Sequence, residues 1–375
     1  MIPFNQAAIV DNQLDYVRQA FEGSHTSGDG PFGRKAERLL EGATGARRAL
    51  LTTSCTHALE MSALLLELRP GDEVIVPAFT FVSTINAFAL RGAKPVFCDV
   101  RDDTFNLDER LLESKITART RAIVPVHYAG VGCEMDAILA HATARNITVI
   151  EDNAHGLFGT YRGRPLGSFG ALATQSFHET KNFSCGEGGA ILVNDESFVE
   201  RAEILREKGT NRSRFFRGQV DKYTWVDLGS SWVLSDVLGA TLLAQLEARR
   251  WIQERRARIW KRYAEELADW ARTQDVRLPV VPEHCEQSFH MFHLVFPDLA
   301  RRTAFIDHLG KAGIKAVFHY QPLHLSPMGL ELGVAREGDC PVTEKVADCL
   351  VRLPFYADLS ESDQSRVIEV ASSFC

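Results

Sequence analysis

The segment Leu172–Asn194, LATQSFHETKNFSCGEGGAILVN, consists of two apolar runs on either side of a polar turn. The first run, Leu172–Phe177, and the second, Ala190–Asn194, have the length and residue types of strands. Lys181 lies between them and is followed by a glycine-rich turn at Gly186–Gly189. The amine of Lys181 is therefore expected on a rigid loop beside a sheet, a suitable position for a lysine that forms a Schiff base with a carbonyl compound.

A second apolar run ends in a carboxylate upstream of this lysine. The run Val149-Ile150-Glu151-Asp152 reads as a strand whose last residue is Asp152. Most lysines are solvated surface charges, so Lys181 alone would carry little weight. A carboxylate such as Asp152 can keep a pyridinium nitrogen protonated, and a lysine with such a partner is the minimum that pyridoxal phosphate requires. Lys181 and Asp152 are accordingly the predicted catalytic residues.

A third segment has the features of a phosphate-binding turn. Thr52–Thr56 joins the apolar run Ala49–Leu51 to a helical run at His57–Leu68. Small and hydroxyl residues at the start of a helix leave backbone N–H groups free and place a positive dipole end there, which suits a phosphate. The residues predicted to bind it are Ser54, Cys55 and Thr56. Together with Lys181 and Asp152, this turn indicates pyridoxal 5′-phosphate (PLP) as the cofactor.

The region from residue 36 to about 200 alternates between short apolar runs and helical segments. The apolar runs are continuous, as expected of strands buried on both faces, and helical segments such as Asp136–Ala144 separate them. The further runs are Val74–Pro77, Pro95–Val100, Ala122–Val126 and Thr148–Ile150. This alternation predicts an α/β fold with a mostly parallel sheet between helices. All three parts of the predicted site follow strands, and such sheets bind ligands at the carboxyl ends of their strands.

The pattern changes near residue 250, which predicts a large α/β domain at 1–250 and a smaller α+β domain at 251–375. A charged run at Arg249–Arg262 has apolar residues at helical spacing, so we interpret it as a long helix joining the domains. Strand-like runs at His290–Phe296 and Ala316–Tyr320 flank a predicted helix near Arg302–Ala312. His290 and His293 would point to opposite faces of a strand, which argues against a metal site.

Composition limits the possible functions. The 375 residues are 45% hydrophobic and 24% charged, as in ordinary soluble globular proteins. A net charge of −7 argues against a nucleic-acid partner, because nucleic-acid binders carry a basic excess. Neither a signal peptide nor an apolar run of about 18 residues is visible, which predicts a cytoplasmic protein without membrane contact. The eight cysteines are scattered along the chain, which predicts that they are reduced thiols that pack in the interior.

The order and spacing of these parts resemble the DegT-type sugar-nucleotide aminotransferases, a branch of the fold-type I PLP enzymes. The resemblance runs nearly end to end and implies a mostly parallel seven-stranded sheet. Within the family, the chain is most similar to the dTDP-4-amino-4,6-dideoxygalactose transaminases. The segments that carry this similarity are 77–84 (PAFTFVST), 124–130 (VPVHYAG) and 207–225 (EKGTNRSRFFRGQVDKYTW).

The resemblance assigns roles to three further residues. Phe81 matches a position where relatives stack an aromatic ring on the cofactor, although most phenylalanines are core residues. His155 matches a position that contacts the cofactor ring, and its alternative is a buried polar residue with satisfied hydrogen bonds. Ser176 matches a phosphate-binding serine. All three are predicted to bind the cofactor.

Substrate-binding residues are predicted in two loops. Gly28 and Asp29 match a loop near the sugar, although glycine beside aspartate usually just forms a turn. The cations and rings of Arg212–Trp225, including Arg212, Lys222 and Tyr223, would suit a diphosphate and a nucleotide base, and the alternative is a solvated loop.

The resemblance also implies a homodimer in which residues 229–236 reach the phosphate of the neighbouring active site. Many relatives carry asparagine where this chain has Ser231, and arginine where it has Val233. The asparagine contact is therefore replaced, and Ser231 is the predicted substitute.

By resemblance, the amino donor is L-glutamate and the acceptor is dTDP-4-keto-6-deoxy-D-glucose. The cofactor alternates between its PLP and pyridoxamine phosphate (PMP) forms, and the product is a dTDP-4-amino-4,6-dideoxyhexose. One alternative is a DegT-type sugar dehydratase, but those enzymes carry histidine where this chain has Lys181. Another is a non-catalytic protein that binds PLP or a nucleotide sugar as a regulator. The sequence leaves open whether the product has the galacto or the gluco configuration.

Overall fold

The computed structural model describes residues 1–332 and 335–375. The helices are α1 (Gln13–Glu22), α2 (Pro31–Thr44), α3 (Cys55–Leu65), α4 (Ser83–Ala89), α5 (Leu112–Lys115), α6 (Met135–Thr143), α7 (Val199–Arg206), α8 (Arg212–Phe216), α9 (Asp236–Glu247), α10 (Arg249–Glu266), α11 (Ala268–Thr273), α12 (Leu299–Lys311), α13 (Pro327–Glu331), α14 (Pro341–Cys349) and α15 (Glu361–Ser372). The strands are β1 (Arg48–Thr52), β2 (Glu73–Pro77), β3 (Lys94–Cys98), β4 (Thr120–Ile123), β5 (Thr148–Asp152), β6 (Thr160–Tyr161), β7 (Arg164–Pro165), β8 (Leu172–Ser176), β9 (Gly189–Val193), β10 (Cys285–Glu286), β11 (His293–Val295) and β12 (Leu350–Arg352).

Seven strands form the central sheet in the order β1-β9-β8-β5-β4-β2-β3. The pairs from β8 through β5, β4 and β2 to β3 are all parallel. Strand β9 is antiparallel to β8, because the turn that contains Lys181 returns the chain directly along β8. It is also antiparallel to β1. Ser176 lies opposite Gly189 and Leu172 opposite Val193. The prediction of a mostly parallel seven-stranded sheet is confirmed.

Both faces of this sheet are covered by helices. Leu50 and Ile191 belong to a core on the face that carries α3 and α7. Their neighbours Leu51 and Leu192 belong to a second core that includes residues of α2 and α9. Successive residues of a strand point to opposite faces, so strands buried on both faces need continuous apolar runs. This requirement explains the uninterrupted apolar runs in the sequence.

The C-terminal part is built on α10, α12 and α15 and the antiparallel pair β11 and β12. The buried residues of α10 are Ile252, Arg256, Ile259 and Tyr263. They recur at helical spacing, so the predicted long helix is confirmed. Aromatic side chains such as Phe296 and Phe305 fill the core of this part, with ring centroids 4.7 Å apart. The division into domains at residue 250 stays a prediction.

Two predicted strands differ from the structure. Ala316–Tyr320 is not a strand, since only Val317 makes a β-bridge, to Arg352. The rings of His319 and Tyr320 stack on one another with centroids 3.6 Å apart and line a cavity, which takes this segment out of the sheet. The run His290–Phe296 is extended only at His293–Val295. His290 precedes the strand, because its Nδ1 atom pairs with the Asn182 side chain at 2.9 Å.

All eight cysteines are free. In the described parts of the chain, no helix combines the length and the apolar character needed to cross a membrane.

Candidate active site

The carboxyl ends of β5 and β8 border a cavity of about 780 Å³. Helices α3 and α4 begin at its wall, and the C-terminal part closes the opposite side with residues on either side of β11 and with β12. Eight of the predicted site residues line this cavity. They are Ser54, Cys55, Thr56, Phe81, Asp152, His155, Ser176 and Lys181.

Asp152 is the last residue of β5, and its side chain is fixed at the cavity wall. The Thr84 hydroxyl donates a hydrogen bond of 2.7 Å to Oδ2, and the backbone N–H of Ala154 donates one of 3.2 Å to Oδ1. The Thr80 hydroxyl lies 2.9 Å from that of Thr84. Asp152 is only 5% exposed, so these partners hold a carboxylate in one orientation away from bulk water.

Lys181 lies in the turn between β8 and β9. The turn is closed by the backbone hydrogen bonds from Lys181 N–H to the His178 carbonyl and from Glu179 N–H to the Gly186 carbonyl, each 2.9 Å long. Burial lowers the pKa of the Lys181 amine to about 8; the charge of Arg352 also lowers it, and Asp152 opposes the shift. At pH 7, about one amine in ten is then neutral and able to react with a carbonyl group.

The start of α3 forms one part of the cavity wall. Ser54 caps the helix by accepting a hydrogen bond of 3.1 Å from the backbone N–H of His57. The N–H groups of Cys55 and Thr56 have no partner within the helix, as at any helix start, and they lie at the cavity wall. Gly189 packs so closely here that a Cβ atom on it would lie 2.4 Å from the Cys55 nitrogen. Burial raises the pKa of the Cys55 thiol, so this group stays uncharged.

Aromatic and imidazole rings form the remaining wall. Phe81 is 56% exposed in a single chain, which leaves its ring free to cover a planar ligand. His155 stacks on His290 with centroids 4.1 Å apart, and its Nε2 atom lies 3.4 Å from the Tyr320 hydroxyl. Burial lowers the pKa of His155 well below its ordinary value, with help from the charges of Lys181 and Arg352, so the ring is neutral. Its buried Nδ1 atom has no hydrogen-bond partner within the described residues.

Sequence reasoning missed several residues of the cavity. Thr84 lies in the segment 77–84, and its position just after a strand is a usable signal. Arg352 is a single cation in the otherwise apolar run Leu350–Phe355, which is also a signal. His290 carries no local signal, because it reaches the cavity only through the packing of the C-terminal part.

Six predicted residues are not among those that line the cavity of a single chain. They are Gly28, Asp29, Arg212, Lys222, Tyr223 and Ser231. Three of them contact the neighbouring residues Arg206 and Glu207. Asp29 pairs with the buried Arg206 at 2.5 Å, Arg212 pairs with Glu207 at 2.6 Å, and Glu207 forms a β-bridge with Ser231.

The chain around Ser231 lies beside the start of α3. The backbone N–H of Thr53 donates a hydrogen bond of 3.0 Å to the carbonyl of Trp232, the residue after Ser231. The side chain of Ser231 is nevertheless exposed and outside the cavity of its own chain. A role for Ser231 at the site of a second chain stays a prediction.

The cavity suits an aldehyde of a pyridine phosphate. It contains a buried amine of lowered pKa, a carboxylate fixed by Thr84 and a helix start with free N–H groups. The unpartnered Nδ1 of His155 adds a polar atom that a ligand can satisfy. For the described residues, no group of three or more metal-ligating side chains is close enough to hold a metal ion.

A model of the DegT/DnrJ/EryC1/StrS aminotransferase family matches residues 7–371 of the chain. The chain is 31% identical over 375 residues to SpsC, a spore coat polysaccharide biosynthesis protein of Bacillus subtilis; the match covers 98% of this chain and 95% of SpsC. It is 34% identical over 351 residues to the uncharacterised protein MJ1066 of Methanocaldococcus jannaschii, covering 92% and 89% of the two chains.

Among solved structures, the fold is similar to that of Spr1654 from Streptococcus pneumoniae, which is assigned as a sugar aminotransferase. The PLP form superimposes with a TM-score of 0.91 at 29% identity, covering 100% of this chain and 98% of the other. The PMP form superimposes with a TM-score of 0.92 at 29% identity, covering 100% and 99%.

Proposed function

The chain belongs to the DegT/DnrJ/EryC1/StrS aminotransferase family, and we propose that it transfers an amino group from L-glutamate to C4 of dTDP-4-keto-6-deoxy-D-glucose. The product is a dTDP-4-amino-4,6-dideoxyhexose. The cofactor is PLP, which the Spr1654 structures contain in both its PLP and PMP forms. The observation that supports this proposal best is that the Lys181 amine and the Asp152 carboxylate line one cavity together with the start of α3.

When bound, PLP acts as an electron sink that makes a C–H bond beside the transferred nitrogen acidic. Asp152 would hold the ring nitrogen in its protonated form, because Thr84 keeps the carboxylate directed at the cavity. The N–H groups at the start of α3 and the Ser176 hydroxyl would bind the phosphate. Phe81 and His155, which both line the cavity, would contact the ring.

Lys181 would bind the cofactor and would then carry protons between the substrate carbon and the cofactor. A pKa of about 8 lets the same amine accept and release a proton near neutral pH, which a general acid and base must do. The same amine would serve both half-reactions. It would remove a proton from the amino donor and return one to the sugar carbon.

The dTDP-sugar substrate is supported by the cations and rings of residues 212–225, which would suit a diphosphate and a base. The relation to SpsC fits a product that enters a polysaccharide.

A homodimer with shared sites is supported by exposed apolar side chains in residues 212–225 and just after them. Phe216 is 69% exposed, Trp225 71% and Leu228 59%, and clusters of this kind mark protein interfaces.

The test follows the absorbance of the protein loaded with PLP. We expect a band at about 410–430 nm that moves to about 330 nm with L-glutamate and returns when dTDP-4-keto-6-deoxy-D-glucose is added. NMR of the product then gives the configuration at C4. Lys181→Ala is the control and should show neither change. A wild-type band that does not respond to L-glutamate would rule out the proposed donor, and a second shift that requires a different sugar nucleotide would rule out the proposed acceptor.

A further inference from the structure

Asn182 directly follows Lys181, and its side chain is bound by the C-terminal part. It is only 8% exposed. Its amide nitrogen donates a hydrogen bond of 2.7 Å to the backbone carbonyl of Ser288 and lies 3.4 Å from the side-chain oxygen of Gln253. Its amide oxygen lies 2.9 Å from Nδ1 of His290. The residue next to Lys181 is therefore attached to α10 and to the segment before β11.

These contacts determine which nitrogen of His290 carries its hydrogen. The Ser288 carbonyl can only accept a hydrogen bond, so the amide nitrogen of Asn182 faces it and the amide oxygen faces His290. An amide oxygen is also only an acceptor, so Nδ1 of His290 is the donor. Burial lowers the pKa of His290 well below its ordinary value, and the ring is neutral. Asn182 and His290 thus share a directional hydrogen bond between two uncharged groups.

His290 and Ser288 also hold the chain after β5. His290 stacks on His155, with ring centroids 4.1 Å apart and an angle of 16° between the ring planes. The Ser288 hydroxyl donates to the backbone carbonyl of His155, and the Ser288 N–H donates a hydrogen bond of 3.0 Å to the Gly130 carbonyl. His155 lies three residues after Asp152. His290 and Ser288 therefore link the strand end that carries Asp152 to the turn that carries Lys181.

Lys181 lies beyond the paired part of the sheet. The pairing of β8 with β9 ends at Ser176 and Gly189, and Lys181 belongs to the connection of residues 177–188. A catalytic group must be held to within about 0.5 Å of its productive position. An amine at the end of a long side chain meets that requirement only if its backbone is fixed. The buried amide of Asn182 provides an attachment in the middle of this connection.

We propose that Asn182 and His290 are positioning residues for Lys181: the hydrogen bond between them fixes the turn on which the amine is carried. In the proposed function, on which this step rests, that amine moves a proton in both half-reactions. His290 acts on the amine through Asn182, and its stacking on His155 holds the imidazole in place. The C-terminal part thereby sets the position of an amine that is carried by the central sheet.

Three variants separate the hydrogen bond from the stacking. Asn182→Ala removes the amide. His290→Phe keeps a flat ring that can stack on His155 but removes the donor. His290→Asn removes the ring but keeps a donor in the same place, because its amide nitrogen is bonded to Cγ as Nδ1 is. Circular dichroism and urea unfolding show whether each variant is folded.

The matched control is Asn194→Ala. Asn194 follows β9 at the end remote from the Lys181 turn, and its amide nitrogen also donates to backbone carbonyls, at 3.0 and 2.8 Å. The control removes a comparable amide and leaves the turn unchanged. An effect that Asn182→Ala produces and Asn194→Ala does not is therefore due to the position of the amide and not to a general loss of stability.

The first measurement uses the apoprotein and no substrate. Reductive methylation by formaldehyde and cyanoborohydride modifies neutral amines, and mass spectrometry gives its rate at Lys181 as a function of pH, with the exposed Lys261 as the internal reference. In wild type we expect a midpoint near pH 8, because burial lowers the pKa of the Lys181 amine to about 8. Asn182→Ala and His290→Phe should raise this midpoint by about one pH unit or more, because a turn that moves brings the amine into water. Asn182 and His290 are uncharged, so such a shift reports the position of the amine.

His290→Asn should have a midpoint closer to wild type than His290→Phe does, and Asn194→Ala should match wild type. In the loaded enzyme, Asn182→Ala and His290→Phe should lower the single-turnover rates of both half-reactions by about 10- to 100-fold, since a misplacement of about 1 Å can cost about 100-fold. The concentration of L-glutamate needed for half the maximal rate should change by less than about 3-fold, because the lost interaction acts on proton transfer and not on binding.

Three results would overturn the proposal. A wild-type midpoint in either Asn182→Ala or His290→Phe would show that the hydrogen bond does not position the amine. A midpoint in His290→Asn as high as that in His290→Phe would show that the donor is not the cause. An equal shift in Asn194→Ala would assign the effect to a general loss of stability. If wild type failed to react with L-glutamate, the proposed donor would fail, and the methylation profile would still decide whether Asn182 and His290 position Lys181.

Discussion

At the scale of single residues, the adjacent carboxylates Glu151 and Asp152 of β5 have different roles. Asp152 faces the cavity and accepts a hydrogen bond from Thr84. Glu151 lies 2.8 Å from the Nε2 atom of His127 and accepts three backbone N–H bonds from residues 167–170. Because neighbouring side chains of a strand point to opposite faces, only Asp152 can reach a ligand in the cavity. Glu151 instead fixes the chain that leads into β8.

Thr84→Val should weaken catalysis without removing the cofactor. The change keeps the shape of the side chain but deletes the hydroxyl that donates to Asp152 at 2.7 Å. A hydrogen bond to a charged group contributes about 1.5–3 kcal/mol, so we expect kcat to fall by about 10-fold or more. Thr84→Ser keeps the hydroxyl and should retain most activity. Equal activity of the valine and wild-type proteins would show that Asp152 needs no such support.

Covalent uptake of PLP by the apoprotein should depend on pH through Lys181. The neutral amine is the reactive form, and burial lowers its pKa from 10.5 to about 8. The uptake rate should therefore rise about 10-fold per pH unit up to about pH 8 and then level off. Arg352→Gln should move this midpoint to higher pH, because the arginine charge helps to lower the pKa. Stopped-flow absorbance measures the profile, and a wild-type midpoint near 10.5 would contradict the expectation.

At the scale of elements, strand ends support helices as well as the active site. Helix α14 begins at Pro341 without a side-chain cap of its own. Asp99, the residue after β3, caps the helix instead. It accepts hydrogen bonds of 2.9 Å from the backbone N–H groups of Val342 and Thr343. It also accepts one of 2.8 Å from the Thr343 hydroxyl. The central sheet thus holds a helix of the C-terminal part.

Asp99→Ala should lower the free energy of unfolding by about 2–3 kcal/mol, since it removes a helix cap and leaves buried donors without a partner. Urea unfolding followed by circular dichroism measures the loss. Asp102→Ala is the control, because Asp102 is an exposed residue whose ion pair with Arg277 lies at the surface, and it should change stability by less than about 1 kcal/mol. A similar loss in both variants would show that the cap is not the cause.

At the scale of the whole molecule, buried imidazole rings join the sheet to the C-terminal part. His155 follows β5, and it stacks on His290 and His319 from the other side of the cavity. The Nδ1 atom of His319 is hydrogen-bonded to the Tyr128 hydroxyl at 2.7 Å. Burial lowers the pKa of all three histidines well below the ordinary 6.5, so the contact is built from neutral rings.

This contact predicts a loss of stability in acid. Above pH 6.5 these histidines are neutral in both the folded and the unfolded chain, and they cause no pH dependence. Below pH 6.5 the unfolded chain binds protons that the folded chain excludes, so the free energy of unfolding falls by up to about 1.4 kcal/mol per pH unit for each ring. Urea unfolding at several pH values should show a smaller slope for His290→Gln than for wild type. The exposed His25→Gln is the control, and an unchanged slope in His290→Gln would contradict the prediction.

Much of the fold and the centre of the site could be predicted from the sequence because they depend on short-range patterns. Continuous apolar runs identified the buried strands. Asp152 was found because it ends one such run, and Lys181 because it lies in the turn after another. The turn at Ser54–Thr56 was recognisable from residues that are adjacent in the chain. These features require only that strands and helices form where their residues favour them.

The tertiary structure decided which distant residues complete the cavity. Arg352 and His290 reach Lys181 only because the C-terminal part packs against the sheet, and no local pattern encodes that contact. The same packing removed residues 316–320 from a strand and turned His319 and Tyr320 into the cavity wall. Gly28, Arg212 and Ser231 are not among the residues that line the cavity of one chain, and the role predicted for Ser231 requires a second chain. Sequence periodicity therefore determined the elements, whereas the burial of rings and charges between elements determined the chemical environment of the site.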